Sequence, residues 1–249
     1  MNKLLKRVLV AVLAAMLLCA AALPAAMAAQ QVQLVSNAGG GASIYAGMTS
    51  TLQVSREGEP QKASLYRWKS SNTSVVSVNK KGAITGKKAG TATITATRKS
   101  DGSACVIKVT VKRNKVDKLN PKPSPSQVDY KGVGILLKSV EIVSPSKVVA
   151  EYYVVCNFPS SWKAYKVKSA EDAINLFNKS TGSLEKTIVG DDYQVFAKSI
   201  SGFKTRKGQS VQVVKAVYSG SRVRCANVRL SKYVIRSSSN AKMVVLYKK

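Results

Sequence analysis

Short apolar and polar positions alternate along much of this chain, and turn residues cut the alternation at regular intervals. Between residues 31 and 111, Thr51-Leu52-Gln53-Val54 alternates as a half-buried strand should, after Gly39-Gly40-Gly41 and Ile44-Tyr45-Ala46-Gly47. A charged turn over residues 56–60 leads to residues 65–69, where Trp68 can fill the space between two sheets. Val76 and Val78 face one way and Ser77 and Asn79 the other, and Lys80-Lys81-Gly82 joins them to Ala83-Ile84-Thr85 as a hairpin. In residues 91–97 every odd position is Thr, while Ala92, Ile94 and Ala96 take the other face. The closing strand sets Cys105, Ile107, Val109 and Val111 against Val106, Lys108 and Thr110. About seven short strands in some 80 residues predict a β-sandwich over residues 29–112.

Residues 113–127 carry Pro121, Pro123 and Pro125 among Lys, Asn and Ser. That composition predicts an extended, semi-rigid linker. From residue 128 to residue 249 the strands expected are 134–143, 148–157, 193–199, 211–218, 222–234 in one or two pieces, and 243–247. One amphipathic helix is expected over 170–178, with Ser169 as cap, Glu171 and Asp172 complementing its dipole, and Ala173, Ile174 and Phe177 as its stripe. The fold class is therefore mainly all-β, with a second mostly-β domain bearing one short helix. A second sandwich or small barrel is expected there, with α+β as the alternative.

The ordered set Trp68-Lys69-Ser70-Ser71-Asn72, Val76-Ser77-Val78-Asn79, Lys81-Gly82, Ile84-Thr85-Gly86, residues 89–95 and the final Val-x-Val resembles the bacterial immunoglobulin-like domain of the second group, the invasin and intimin type. The resemblance covers residues 34–111, about a third of the chain. It implies an Ig-like sandwich serving bacterial or phage surface proteins as spacer, adhesin module or both. Only one copy is found.

Lys3, Lys6 and Arg7 precede an uncharged run over residues 8–23, then Pro24 and Ala26-Met27-Ala28. This is the layout of a signal peptide over residues 1–28, cleaved between Ala28 and Ala29. Leu17-Leu18-Cys19-Ala20 faintly resembles a lipoprotein site, but Leu18 stands where a small residue is wanted. Secretion or display at the cell surface is the expected location, and no later segment is apolar enough to span a membrane.

Formal net charge is +28, and loss of Lys3, Lys6 and Arg7 leaves +25. Lys outnumbers Arg by 30 to 10. Hydrated point charges favour diffuse attraction to anionic polysaccharide, wall polymer or a host surface component over specific nucleic acid. Three cysteines remain after cleavage. Cys156 and Cys225 both read as inward-facing on strands, which leaves open a bridge between them or two separate buried thiols, and Cys105 reads as a small core residue. Histidine is absent, which removes the commonest general base and zinc ligand.

Candidate chemistry is sparse. Glu171 with Asp172 reads as a helix start and Asp191 with Asp192 as a turn, since adjacent carboxylates rarely converge on one substrate atom. No spacing marks a metal or cofactor site, and none is expected. One basic and aromatic stretch stands out: Trp162, Lys163, Tyr165, Lys166 and Lys168, after Phe158. Aromatic faces beside ammonium groups suit sugars and anionic polymers, while the simpler reading is that Trp162 plugs one end of the second core and the lysines keep that loop soluble. Lys204, Arg206 and Lys207, with Arg222 and Arg224 on one strand face, can join it in a single patch. The function expected is a non-catalytic adhesion or polymer-binding protein. The alternatives are an accessory or catalytic part of a cell-wall or glycan-active enzyme, and a structural surface-layer subunit.

Overall fold

The computed structural model describes residues 31–35, 42–127, 132–158, 169–181, 184, 195–205, 207–232 and 242–244. Over residues 31–112 two sheets face each other. One has the order β1 (Gln31–Val35), β3 (Thr49–Arg56), β7 (Ala83–Gly86), β6 (Val76–Val78), with β4 (Glu59–Pro60) beside β3. The other has the order β2 (Ser43–Tyr45), β9 (Ala104–Lys112), β8 (Gly90–Arg98), β5 (Tyr66–Ser70). All pairs are antiparallel except β2 with β9, which run parallel.

Alternation dictates which side chains meet between the sheets. Leu52, Val54, Val76 and Ile84 from one sheet are buried against Ala92, Ile94, Ala96, Val109 and Val111 from the other. Trp68 bridges the two halves of this core and donates from Nε1 to the Ala63 carbonyl at 3.1 Å. Gly82 lies beneath its ring at φ +76°, where an added Cβ would sit 2.9 Å from Cζ2. The hairpin between β6 and β7 is closed by Asn79, whose Oδ1 accepts from the Lys81 and Ala83 amides, an Asx turn that explains the choice of residue. The expected sandwich, hairpin and inward-facing Cys105 are all present.

The rest of the described chain builds one six-stranded antiparallel sheet. Its order is β10 (Asn114–Val116), β11 (Gly132–Ser144), β12 (Lys147–Asn157), β14 (Gln209–Ser219), β13 (Ser199–Ser201), and β15 (Lys242–Val244) pairs with the other end of β11. Helix α1 (Ala170–Thr181) begins where the Asp172 amide donates to the Ser169 hydroxyl at 3.0 Å, the cap read from the sequence. Its buried stripe, Ala173 and Phe177, closes over Tyr152, Val154, Val214 and Ala216. The Phe177 ring meets Tyr152 edge-on at 5.3 Å and Phe203 at 6.1 Å. Among the described residues the second unit is a helix on one face of an antiparallel sheet, the α+β alternative, and no second sheet faces it.

Three segments differ from expectation, each for a hydrogen-bonding reason. Residues 113–127 do not run entirely as a spacer: Asn114–Val116 is a strand of the second sheet, Leu119 donates to the Lys138 carbonyl, and Asn120 Nδ2 donates to that of Leu137. Beyond them, Pro125–Gln127 turns against β12 and β14. Residues 222–232 are not a strand, because their amides go elsewhere: Cys225 to the Pro145 carbonyl, Asn227 to that of Gly47, and Leu230 to Asn114 Oδ1. Within 193–199 the described residues stay off the sheet as far as Ala197, because the Asn178 amide takes both its N–H and its C=O; Lys198 then donates to the Val217 carbonyl and Ser199 begins β13.

The two β units meet at a polar clasp. Asn114 is fully buried, and its Nδ2 donates to the carbonyls of Ala46 at 3.0 Å and Val228 at 2.7 Å. Its Oδ1 accepts from the Leu230 amide at 3.0 Å and from Arg229 at 3.3 Å. Asn227, at φ +60°, accepts on Oδ1 from both the amide (2.7 Å) and the hydroxyl (2.8 Å) of Thr49. Gly47 sits between, at φ +85°, with no room for a side chain beside Ile142. The Arg229 guanidinium lies 3.5 Å from the Tyr45 ring centroid, a stacked cation–π contact.

Candidate functional site

Charge is distributed unevenly because most described carboxylates are already engaged. Glu141 holds Arg113 in a two-bond fork at 2.9 and 2.7 Å. Glu151 accepts from Lys138 and from the Ser139 hydroxyl, both at 3.0 Å, and the Lys138 ammonium holds its carboxyl below the usual range. Asp117 pairs with Lys115, and Asp101 with Arg98. The excess lysines therefore face solvent with little local opposition.

One concave feature lies between α1 and the end of β14. It is a groove of about 550 Å³, lined by Glu171, Asn175, Phe196, Lys198, Ser221 and Arg222, among others. Phe196 is 40% exposed, unusual for so large an apolar ring. It is held outward because its neighbours Val195 and Ala197 are buried while Asn178 clamps the Ala197 backbone from the helix. Lys198 follows, with its amide bonded to the Val217 carbonyl at 2.7 Å. An exposed aromatic face beside an ammonium, a guanidinium, an amide and hydroxyls can hold a sugar ring with a negative substituent. Glu171 is the one carboxylate lining the groove, so among the described residues it lacks the facing pair that glycoside hydrolysis uses.

The residues singled out in the sequence are dispersed. Lys204 and Lys207 lie before the start of β14, with the Lys204 backbone gripped by the Gln212 side-chain amide at both its N–H and its C=O. Arg222 and Arg224 follow the far end of that strand, which spans about 33 Å. The structure does not bring these two basic clusters together. Arg222 and Arg224 are exposed around buried Val223, as alternation suggests, but on a loop rather than a strand. Only Arg222 of the described candidates reaches the groove. Trp162, Lys163, Tyr165, Lys166, Lys168, Arg206, Asp191, Asp192, Ala28 and Ala29 lie outside the described residues. Phe196 and Lys198 were missed; their signal was a Val-Phe-Ala-Lys alternation read as an ordinary strand.

Cys156 and Cys225 are separate buried thiols, so the bridge left open by the sequence is not formed. Cys225 Sγ lies 3.1 Å from the Ser144 carbonyl, beside the start of β12, whereas Cys156 is nine residues further along that strand, about 30 Å away. Burial pushes the Cys225 thiol up to about 11 and raises that of Cys105, which makes both poor nucleophiles. The Tyr152 and Tyr218 hydroxyls meet at 2.9 Å in the second core, and desolvation raises both, Tyr218 to about 12. Both rings are fully buried in that core. No group of three or more Cys, Asp or Glu among the described residues is placed to hold a metal ion, and no described helix is long and apolar enough to cross a membrane.

Residues 28–109 match the model of the bacterial Ig-like domain (group 2), so the first unit is a domain of that kind. None of the curated proteins matches the chain. Among solved structures, the S-layer protein rSbsC(31-844) is 18% identical, over 76% of this chain and 24% of that one, with a TM-score of 0.29. Domains 4 and 5 of the S-layer protein SbsC are 14% identical, over 77% of this chain and 92% of that one, with a TM-score of 0.26. The chain spans about a quarter of the first of these.

Proposed function

We propose that this is an exported bacterial surface protein without catalytic activity, in which an Ig-like domain is joined to a basic β-domain that holds an anionic wall, host or matrix polymer. The observation that carries this reading is the groove between α1 and β14, where exposed Phe196 stands with Lys198 and Arg222. The net charge of +28 supplies long-range attraction, and the groove supplies a place to dock. The match of residues 28–109 to a bacterial Ig-like domain supports a surface role.

The test is retention of the chain beginning at Ala29 on purified cell-wall sacculi and on immobilised heparin. Binding is expected to weaken steeply between about 50 and 200 mM salt. Phe196→Ala with Arg222→Ala should release the protein at lower salt than the parent. Retention that ignores both salt and the double substitution refutes the reading. Release of soluble sugar from sacculi, abolished by Glu171→Gln, would instead support a wall-active enzyme.

A structural surface-layer subunit is the second reading, because the fully buried Asn114 clasp fixes the two units in one orientation, as a regular lattice of two-unit subunits requires. Ordered self-assembly of the purified chain, seen by electron microscopy and lost in an Asn114→Ala variant, supports that second reading. A monodisperse monomer at high concentration excludes it.

A further inference from the structure

The outward face of the sheet formed by β2, β9, β8 and β5 has a composition that core packing does not explain. Its inward positions are the buried Ala92, Ile94, Ala96, Cys105, Val109 and Val111. Its outward positions on β8 are Thr91, Thr93, Thr95 and Thr97, a ladder of hydroxyls about 7 Å apart along the strand. Pairing sets cations on both sides of that ladder. Arg67 lies beside Thr97 and Lys69 beside Thr95 from β5, while Lys108 lies beside Thr93 from β9. Val106, 65% exposed, flanks Thr95 on the side opposite Lys69.

The row continues to the junction. Lys112 ends β9 next to Tyr45 of β2, and the Tyr45 ring carries the Arg229 guanidinium from the second unit. From Ala104 to Lys112 the face is about 27 Å long. None of its strand positions is acidic, and none of Arg67, Lys69, Lys108 and Lys112 forms an ion pair among the described residues. Asp101, in the turn between β8 and β9, is held by Arg98 and by the Ser103 amide and hydroxyl.

We propose that this face is a second binding surface, for a linear polysaccharide bearing carboxylates. A flat sheet admits an extended polymer where a pocket would admit only its end. The threonine hydroxyls donate to and accept from sugar hydroxyls, as no row of ammonium groups can, because ammonium only donates. Lys69, Lys108 and Lys112 neutralise carboxylates spaced along the chain. The exposed methyls of Val106 cover the C–H face of a sugar ring. Arg229, fixed on Tyr45, carries the positive track across the junction. The inference stands apart from the groove, which lies on the other unit and contributes none of these residues.

The test uses the chain beginning at Ala29 and a size-defined hyaluronan oligosaccharide, with inorganic polyphosphate as a comparator that has charge but no sugar. Lys69→Glu with Lys108→Glu should weaken hyaluronan binding about tenfold or more. Thr93→Val with Thr95→Val keeps charge and strand propensity, and should weaken hyaluronan binding while leaving polyphosphate binding unchanged. These side chains point away from the core, and circular dichroism with thermal melting checks that each variant is folded. Hyaluronan binding that survives the lysine reversals overturns the proposal, as does binding lost only in the Phe196→Ala, Arg222→Ala groove variant. Equal sensitivity of hyaluronan and polyphosphate to the threonine changes, including no effect on either, overturns the assignment to a polysaccharide.

Discussion

Replacing Asn114 by Ala should uncouple the two units. The change removes two donors, to the Ala46 and Val228 carbonyls, and an acceptor for the Leu230 amide, all at a fully buried position. A buried backbone group deprived of its partner costs about 1–3 kcal/mol, and partial entry of water into the vacated space keeps the sum near the low end. Three such groups give about 3–4 kcal/mol. For a chain of this size, about 2–4 °C is lost per kcal/mol, so the midpoint should fall by roughly 6–16 °C. Calorimetry of the chain beginning at Ala29 is the assay. The parent should melt in one transition, and the variant should either melt earlier or split into two. Asn114→Asp keeps the shape but presents an acceptor where a donor is needed. That variant should also be destabilised, because the Ala46 and Val228 carbonyls lose their donor. An Asn114→Ala protein that melts in one transition within about 1 kcal/mol of the parent would show that the clasp does not couple the units.

Gly47→Ala should cost about 1–3 kcal/mol, because φ is +85° and the new methyl would sit 2.7 Å from Ile142 Cγ2. Ile142→Ala removes Cγ2, so the two substitutions together should cost less than the sum of each alone, and strict additivity in urea denaturation would contradict the clash. Glu151→Gln should cost about 0.5–1 kcal/mol at neutral pH. Because Lys138 and Ser139 depress the Glu151 carboxyl in the fold, its contribution is present above the unfolded carboxylate value and vanishes as pH falls through the depressed one. Melts from pH 7 to about pH 3 should therefore converge for parent and variant, and parallel curves would argue against the pair. A thiol reagent should label Cys105, Cys156 and Cys225 slowly in the native protein and rapidly once it unfolds. A mass deficit of two hydrogens in the air-oxidised monomer would mean instead that two of them bridge.

Local order was legible where side-chain periodicity alone decides it. The odd-position threonines of β8, the hairpin through Lys80-Lys81-Gly82 and the Ser169 cap are each dictated by neighbours within a few residues, and each appears in the fold. The junction was hidden because its signal resembles that of a loop. Asn114 sits among Lys, Arg and Pro, a composition that ordinarily means solvent, yet it is buried because its amide satisfies backbone groups more than a hundred positions later. The basic clusters failed as one patch for the converse reason. Lys204 and Lys207 lie at one end of β14 and Arg222 and Arg224 at the other, and the length of that strand holds them apart. On the first unit, the threonine row was readable from alternation, but its flanking lysines come from the register of β5 and β9, which no local pattern encodes.

The clasp also has a place in time. Asn114 and the β2–β3 turn leave the ribosome, or cross a membrane, well before Asn227, Val228 and Leu230. The Ig-like sandwich can close on contacts within residues 31–112, but its seat on the second unit cannot form until residue 230 has been delivered. Until then Asn114 and the Ala46 and Gly47 carbonyls bond to water. The clasp between the two units is thus completed only when residues 227–230 arrive, after the sheets have most of their strands.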